Sequence, residues 1–389
     1  MERDKSGILA DIGVDAEIRT YEPKGGTGEV HLMLHAFYKE ERFTEQLERL
    51  YTALDAILTW GERRYKPVFV RFFLSDATNQ AQYIREEKDC AVSIIQQPPL
   101  DGSKVAMWVY MVECGEGPDA SVRNVAVDGD ERATTVFEHN GYKHLWDMGM
   151  CVAEGDSAFQ TARLFTKYEE RLHVFGATLA DNCQRTWLYV RDVDTNYAGL
   201  VRARRDNFTA QGLTADTHYI ASTGIGGSPA DTKAIVQMGC YALTGAEKGQ
   251  VKYLYAPTHL NPTYEYGVTF ERGTSITFGD RIHIYISGTA SINNKGEVVH
   301  VGDVEKQAER MCENVGALLA EAEAEAKDVM QIVVYLRDIN DYRVVKDIVT
   351  GSFPFVPAVY TLAPVCRPTW LVEMECIAVK ECKTEYRRF

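Results

Sequence analysis

The chain has 389 residues, of which 45% are hydrophobic and 25% are charged, and its formal net charge is −14. This length predicts two or three domains, and the acidic balance opposes nucleic-acid binding, which basic residues drive. No apolar run approaches the roughly 18 residues of a membrane helix, and the first residues lack the apolar segment of a signal peptide. We therefore expect a cytoplasmic protein without a membrane partner.

The nine cysteines are scattered along the chain, and none forms a Cys-x-x-Cys pair. This distribution favours reduced thiols over a disulfide framework or a structural zinc site. His300 belongs to a His-x-Gly-Asp segment without further ligands at metal spacing, so we interpret it as part of a turn capped by Asp303. We expect neither a metal ion nor a cofactor.

The predicted elements repeat one order, strand, helix, strand, helix, strand, three times. In the first copy they are 30–36, 43–58, 68–74, a helix through Ile84, and 105–112. In the second they are 145–152, 159–175, 185–190, 197–208 and 235–243. In the third they are 282–287, 304–324, 329–336, 342–349 and 371–379.

Recurring polar residues support the repeat. A glutamine of the first helix precedes an aspartate after the next strand by 30, 32 and 31 residues in the pairs Gln46/Asp76, Gln160/Asp192 and Gln307/Asp338. We place the units at residues 1–115, 135–245 and 265–383, with a linker and hairpin at 113–135. The sequence thus predicts an α+β fold of three tandem units, each covering a sheet face of its neighbour.

The third copy carries the segments most suggestive of chemistry. An apolar run ending in Ser287-Gly288-Thr289 predicts a strand whose last residues leave the sheet. In the final strand, Glu373 and Glu375 share one face because side chains alternate with period two. The corresponding segments 106–109 and 236–239 contain no acid, which indicates a single competent cleft. Alternatively, both glutamates solvate an exposed strand face.

These segments resemble the YjgF/Rid superfamily. The similarity rests on the Ser-Gly-Thr strand end, Gln307 at the start of a helix, residues 335–338, Pro357-Ala358 and the Val-Glu-Met-Glu ending, and it covers residues 265–381. The resemblance implies trimers of one unit with active sites between units. The chain would then be an intramolecular pseudo-trimer, as a monomer or a homo-oligomer, with its site in a cleft between the second and third units.

Within that superfamily, Ser-Gly-Thr-Ala-Ser-Ile, His-x-Gly-Asp and the segment from Cys366 to Glu373 are similar to the chorismatases. This resemblance implies an enzyme that cleaves pyruvate from chorismate or a related cyclic enol ether. Glu373 would be the acid, because protonation of a vinyl carbon needs a carboxyl group with a raised pKa. Cys366 would act at the ring as thiol or thiolate and favour a hydroxybenzoate product; alternatively, it is a core residue.

A small anionic substrate with carboxylates requires cationic partners. The candidates for substrate binding are Arg367, Arg202, Arg205, Tyr266, Thr289 and Ala290. Arg202 and Arg205 share a helix face, and an arginine binds a carboxylate through two hydrogen bonds. Alternatively, these arginines belong to a solvated surface and the tyrosine to the core. The glycine-rich segment 221–227 is a second candidate for anion contacts, through backbone N–H groups.

Two other functions stay open. One is an imine or enamine deaminase of the Rid type, in which Glu373 would activate water. The chain has Val359 where the small deaminases have an arginine after Pro-Ala, and this departure counts against that reaction. The other is a small-molecule-binding protein without catalytic activity.

Overall fold

The computed structural model describes residues 9–59, 63–85, 89–115, 120–127 and 134–389. The first sheet contains β1 (Val14–Tyr21), β2 (Glu29–Ala36), β3 (Tyr65–Leu74), β4 (Ala91–Gln96) and β5 (Val105–Glu113). The second contains β6 (Ala120–Val125), β7 (Thr134–His139), β8 (Tyr142–Cys151), β9 (Cys183–Val190), β10 (Ala221–Gly226) and β11 (Val236–Thr244). The third contains β12 (Val251–Leu254), β13 (Gly273–Thr277), β14 (Arg281–Ala290), β15 (Val329–Leu336), β16 (Ala358–Leu362) and β17 (Val372–Glu381). The main helices are α1 (Phe43–Leu58), α2 (Ala77–Gln80), α3 (Ser157–Val174), α4 (Leu179–Asn182), α5 (Val193–Ala210), α6 (Val304–Glu321) and α7 (Tyr342–Ser352).

The three sheets share one strand order. The first runs β1-β2-β5-β3-β4, the second contains β7-β8-β11-β9-β10, and the third contains β13-β14-β17-β15-β16. The second and third sheets each carry one further edge strand, β6 and β12. In every sheet the last pair is parallel and the other pairs are antiparallel. The predicted α+β fold of three similar units is therefore confirmed.

The repeated glutamines perform the same task in each unit. The side-chain oxygens of Gln46, Gln160 and Gln307 accept a backbone N–H from the residue just before the final strand, at 2.8 Å from Lys104, 2.7 Å from Ile235 and 2.9 Å from Leu371. All three glutamines are fully buried. A buried amide satisfies backbone groups that would otherwise lack partners, so this position in the helix requires glutamine.

The units pack into one interior. A single apolar cluster includes residues of all three sheets, among them Trp108, Trp146 and Trp187. Backbone pairing between Gln96 and Ser228, and between Ile225 and Val365, links the sheets directly. Within the described part of the chain, no helix is long and apolar enough to cross a membrane.

Several predicted elements differ in the structure. The helix expected to run through Ile84 ends at Gln80 and is followed by a single 3₁₀ turn, 81–83. Residues 221–226, interpreted as a glycine-rich turn, form β10 and pair with β9, so the sheet occupies their backbone groups. The Ser287-Gly288-Thr289 segment stays in β14, where the register with β17 shifts between Ile286 and Thr289. This β-bulge re-aims the strand without ending it.

Candidate functional site

The register of the final strands identifies the positions equivalent to the two glutamates. Leu336 pairs with Val372 in the third sheet, Val190 with Val236 in the second, and Leu74 with Val105 in the first. The residues equivalent to Glu373 are therefore Gln237 in the second unit and Ala106 in the first. The residues equivalent to Glu375, two positions further, are Gly239 and Trp108. The third unit alone carries acids at these positions. Both of these glutamates are buried, at 5% and 1% exposure, so neither solvates an exposed strand face.

Glu375 is a structural anion in the interior. Its carboxylate accepts hydrogen bonds from Arg185 at 2.7 Å and from the Trp187 indole at 2.9 Å. The fully buried Arg71 of the first unit lies 3.6 Å from the same carboxylate. Because two arginines and an indole surround it, Glu375 ties the three units together as a paired charge and is not available as an acid.

Glu373 has a different environment two residues away. Burial raises the pKa of its carboxyl group to about 8, and the negative charge of Glu375 adds to the effect, while Arg185 and Arg272 oppose it. A Cβ atom at Gly288 would lie 2.1 Å from Oε1 of Glu373, so only glycine leaves room for the carboxyl group. At neutral pH most molecules therefore carry Glu373 as a neutral carboxylic acid.

The carboxyl group of Glu373 faces a narrow pocket, and the pocket's empty space of about 480 Å³ includes open solvent. We call it the Glu373 pocket; it is lined by Tyr197, Arg204, Ser222, Gly224, Val268, Phe270, Arg272, Gly288, Ala290, Ile292, Cys366, Arg367, Trp370 and Glu373. The second and third units both contribute. Hydrogen bonds between the units fix the walls: the Gly288 N–H donates to Thr223 Oγ1 at 2.9 Å, and the Ser222 N–H donates to Ser287 Oγ at 2.9 Å.

Three arginines line this pocket. Arg204 on α5 is 1% exposed and has one weak hydrogen bond, 3.4 Å, to Ser222 Oγ. Its Nε and Nη2 atoms are buried without a hydrogen-bond partner among the described residues. Arg272 is also buried and donates to the Asn261 backbone oxygen at 2.9 Å. Arg367 is half-buried and lies over the Trp370 ring, 5.2 Å from its centroid.

The other two predicted arginines do not line the Glu373 pocket. Arg202 and Arg205 are exposed on α5 and line a shallower surface depression that also includes Arg367 and Cys366. Arg205 is 3.8 Å from the carboxylate of Asp206. Arg204 was missed because i,i+3 spacing drew attention to the exposed pair. A usable signal exists in the sequence: Leu200, Arg204 and Phe208 recur every four residues, which places the arginine on the buried helix face.

Cys366 lines the Glu373 pocket as a neutral thiol. Burial raises its pKa to about 12, and the neighbouring Glu373 acts in the same direction. The Tyr197 hydroxyl is hydrogen-bonded to this thiol. The thiolate considered from sequence is therefore excluded at neutral pH, and the sulfur is left as a weak donor and an apolar contact.

The remaining predicted site residues separate into three groups. Ala290 lines the Glu373 pocket. Thr289 is buried, and its hydroxyl donates to the Ser287 backbone oxygen at 2.9 Å instead of facing the pocket. The side chain of Tyr266 lies outside the part of the chain that the structure describes.

Val359 does not border the Glu373 pocket. It is fully buried in β16, whose neighbours Ala358 and Tyr360 line a different cleft, between the third and first units. Strand register makes Thr223 the equivalent residue from the second unit, because Thr223 pairs with Trp187 as Val359 pairs with Val333. Thr223 accepts a hydrogen bond from Arg185 at 2.5 Å. Thr223 is therefore the residue to compare with the arginine of the small deaminases, and the departure at Val359 does not concern the Glu373 pocket.

No group of three or more His, Cys, Asp or Glu side chains in the described ranges is arranged to hold a metal ion.

Comparisons with known proteins point to one family. The family model described as endoribonuclease L-PSP matches residues 276–380. A RutC family protein of Pyrococcus abyssi is 36% identical over 101 residues, 25% of this chain and 79% of the relative. The 3-aminoacrylate deaminase RutC of Acinetobacter baylyi is 31% identical over 97 residues, 24% of this chain and 77% of the relative. A crystal structure of a chorismatase covers 80% of this chain and 92% of its own, with a TM-score of 0.62 and 19% identity; it shares the fold.

Proposed function

The chain belongs to the RutC family, and we propose that its Glu373 pocket protonates and cleaves the enol ether of a small cyclic carboxylate. Chorismate, or a closely related ring bearing an enolpyruvyl group, is the proposed substrate. Pyruvate is one product. The structural likeness to a chorismatase and the sequence of the segment 366–373 support this choice of substrate.

The protonation state of Glu373 carries the proposal. The methylene carbon of an enol ether is a weak base, so its protonation requires an acid that still holds its proton at neutral pH. An exposed glutamate is ionised at this pH, whereas the buried carboxyl group of Glu373 has its pKa raised to about 8. Its neighbour Glu375 is paired with Arg185, and the negative charge of Glu375 helps to raise the pKa of Glu373. Glu373 is therefore the acid, and Glu375 is the neighbouring negative charge that raises its pKa.

The pocket arginines match the charges of such a substrate. A ring carboxylate and an enolpyruvyl carboxylate need two cationic partners. Among the described residues, two buried nitrogen atoms of Arg204 have no hydrogen-bond partner, and the half-buried Arg367 lines the same pocket over the Trp370 ring. Buried guanidinium groups bind carboxylates through paired, charge-assisted hydrogen bonds. The Phe270 and Trp370 rings supply apolar contacts for the substrate ring.

The proposed reaction has two stages. Glu373 transfers its proton to the methylene carbon, and the adjacent ether carbon becomes an oxocarbenium ion while the enolpyruvyl carboxylate stays bound to arginine. Addition of water and breakage of the ether C–O bond then release pyruvate, leave a hydroxyl group on the ring and return a proton to Glu373. Loss of one water molecule from the resulting dihydrodiol gives a hydroxybenzoate. Cys366, as a neutral thiol, contacts the ring and favours the hydroxybenzoate over the dihydrodiol.

The second candidate function is hydrolysis of an enamine or imine. The 31% identity to a 3-aminoacrylate deaminase favours it. The same neutral carboxyl group can protonate the β-carbon of an enamine, and water then attacks the iminium carbon with release of ammonia. Such a substrate carries one carboxylate, so it requires only one of the three pocket arginines.

A paired assay separates these functions. Purified protein is incubated with chorismate, and pyruvate and aromatic products are measured. In parallel, it is incubated with 2-aminoacrylate generated from serine by a dehydratase, and ammonia release is followed. We expect pyruvate and a hydroxybenzoate from chorismate. Turnover of the enamine alone would establish the second function, and turnover of neither would leave a binding protein without catalysis.

A further inference from the structure

A second cleft occupies the equivalent position between the third and first units. It is larger than the Glu373 pocket, with about 1600 Å³ of empty space. Strands β1 and β2 of the first unit form one wall, and α7 with β16 of the third unit forms the other. We call it the His35 cleft. The position equivalent to Glu373 is Ala106 here, so any chemistry in this cleft must come from other side chains.

A histidine whose side chain is 12% exposed lines the His35 cleft. His35 Nδ1 is 3.4 Å from Asp101 Oδ2, and Lys39 Nζ is 2.6 Å from the same oxygen. Burial lowers the pKa of His35, but the hydrogen bond and charge of Asp101 outweigh burial and raise it above its ordinary value. The second ring nitrogen, Nε2, is buried without a hydrogen-bond partner among the described residues. This N–H group is available to an acceptor on a ligand.

A carboxyl group lies close to this histidine. Glu17 Oε2 accepts the Ala358 N–H at 2.7 Å, which spans the two units. Burial raises the pKa of Glu17, and the nearby His35 opposes the shift. Lys346 on α7 lines the same cleft and bonds weakly to the Tyr342 hydroxyl at 3.3 Å. A hydrogen-bond donor, an acceptor and an ammonium group therefore converge on one cleft.

The outer wall of the His35 cleft is apolar and includes one unusual residue. Phe353, Val356 and Tyr360 are buried and line it. Phe355, also in the lining, has a φ of 62° and a side chain that is 90% exposed. A left-handed backbone conformation is strained for a bulky residue. An exposed aromatic ring also forgoes the hydrophobic stabilisation that burial would give. Both costs are explained if the ring covers a ligand.

We propose that the His35 cleft binds a free α-amino acid with an apolar, preferably aromatic, side chain. The ligand carboxylate accepts the His35 Nε2–H and faces Lys346. Its ammonium group donates to Glu17, and its side chain contacts Phe355 and Val356. This site is separate from the Glu373 pocket, so its occupation does not depend on the reaction proposed there.

Calorimetric titration of the full chain with three related probes tests the charge requirement. L-phenylalanine carries both charged groups, 3-phenylpropanoate lacks the ammonium group, and phenethylamine lacks the carboxylate. We expect saturable binding of L-phenylalanine, and affinities about tenfold lower for each of the other two, as the loss of one charge-assisted hydrogen bond predicts. Absence of saturable binding up to millimolar L-phenylalanine would overturn the proposal.

Two variants locate the site. Glu17→Gln should weaken binding of L-phenylalanine about tenfold, while Glu48→Gln, an exposed glutamate on α1, should leave it unchanged. Phe355→Asn removes the ring and introduces a residue that tolerates positive φ. This variant should be at least as stable as the wild type, and its affinity for L-phenylalanine should be lower by roughly threefold or more. Equal affinity in wild type, Glu17→Gln and Phe355→Asn would exclude the His35 cleft as the site.

Discussion

The Glu373 pocket and the His35 cleft occupy equivalent places in the fold but differ in chemistry. In the first, a carboxyl group has no hydrogen-bond donor among the described residues, and its pKa rises to about 8. In the second, the carboxylate of Asp101 receives hydrogen bonds from Lys39 and Ser103 and faces His35, and its pKa is held well below the usual range although burial opposes the shift. Strand register fixes where side chains converge, whereas the partners at that place decide whether an acid keeps its proton.

Removal of the acid should produce the largest difference between the two clefts. Glu373→Gln keeps the shape of the side chain but has no proton to transfer, so we expect kcat for pyruvate release to fall about 10²–10⁴-fold. The Kd for substrate should change little, because the arginines remain. The matched variant Glu17→Gln should retain wild-type kcat. A kcat of Glu373→Gln within about threefold of the wild-type value would exclude Glu373 as the acid.

The glycine that leaves room for Glu373 gives the next largest effect. In Gly288→Ala the new Cβ would meet Oε1 at 2.1 Å, so the carboxyl group must move, and we expect kcat to fall about 10–100-fold. Gly316→Ala is the control. Gly316 is exposed on α6 with no atom within 4 Å of an added Cβ, so this change should raise the free energy of unfolding by about 0.5–1 kcal/mol and leave kcat unchanged. Equal kinetics in the two variants would contradict the steric argument.

The arginines of α5 test which helix face binds the substrate. Arg204→Met should raise KM by about tenfold or more, because a buried carboxylate partner is lost. Arg202→Met should leave KM within about twofold, since this side chain is exposed. The KM values of both variants for chorismate, from steady-state kinetics, show which arginine binds the substrate. The reverse ranking would restore the exposed pair as the binding residues.

The pH dependence of stability bears directly on the contrast between the clefts. The pKa of Glu373 is about 8 in the folded protein and 4.5 in its ordinary state. Between these values the unfolded chain binds fewer protons than the folded one, so the free energy of unfolding falls as pH rises, by up to about 1.4 kcal/mol per pH unit. Glu373→Gln removes this slope. Its stability relative to wild type should therefore increase from pH 5 to pH 8 and then level off, in urea denaturation at each pH. Parallel curves of unfolding free energy against pH for wild type and Glu373→Gln would exclude a raised pKa of Glu373.

Sequence patterns predicted many of the helices and strands well because their causes are local. The strand at 329–336 and the helix at 43–58 were placed at their observed bounds, since apolar periodicity reports the buried face directly. The Gln46, Gln160 and Gln307 signature reported a buried hydrogen bond that recurs in each unit. Strand alternation also placed Glu373 and Glu375 on one face.

The chemistry of the site was less predictable because each cleft is built by two units. Alternation cannot reveal that Arg185 and Trp187 bond to Glu375, whereas Glu373 has no such partner among the described residues, since these partners come from another part of the chain. For the same reason, sequence alone did not show that Val359 lies in the strand beside the His35 cleft, whereas its equivalent Thr223 bonds to Gly288 of the Glu373 pocket. His35 and Glu17 attracted no attention, because their partners Asp101 and Ala358 are distant in sequence.

The central claim is that Glu373 carries a proton at neutral pH, and a carboxyl titration measures this directly. Protein labelled with ¹³C at the glutamate side-chain carboxyl groups is titrated by NMR, and the Glu373 resonance is assigned as the signal missing from Glu373→Gln. We expect this signal to titrate near pH 8, several units above the exposed glutamates. Titration at or below about pH 5 would mean that the pocket holds a carboxylate, and the proposed acid would not exist.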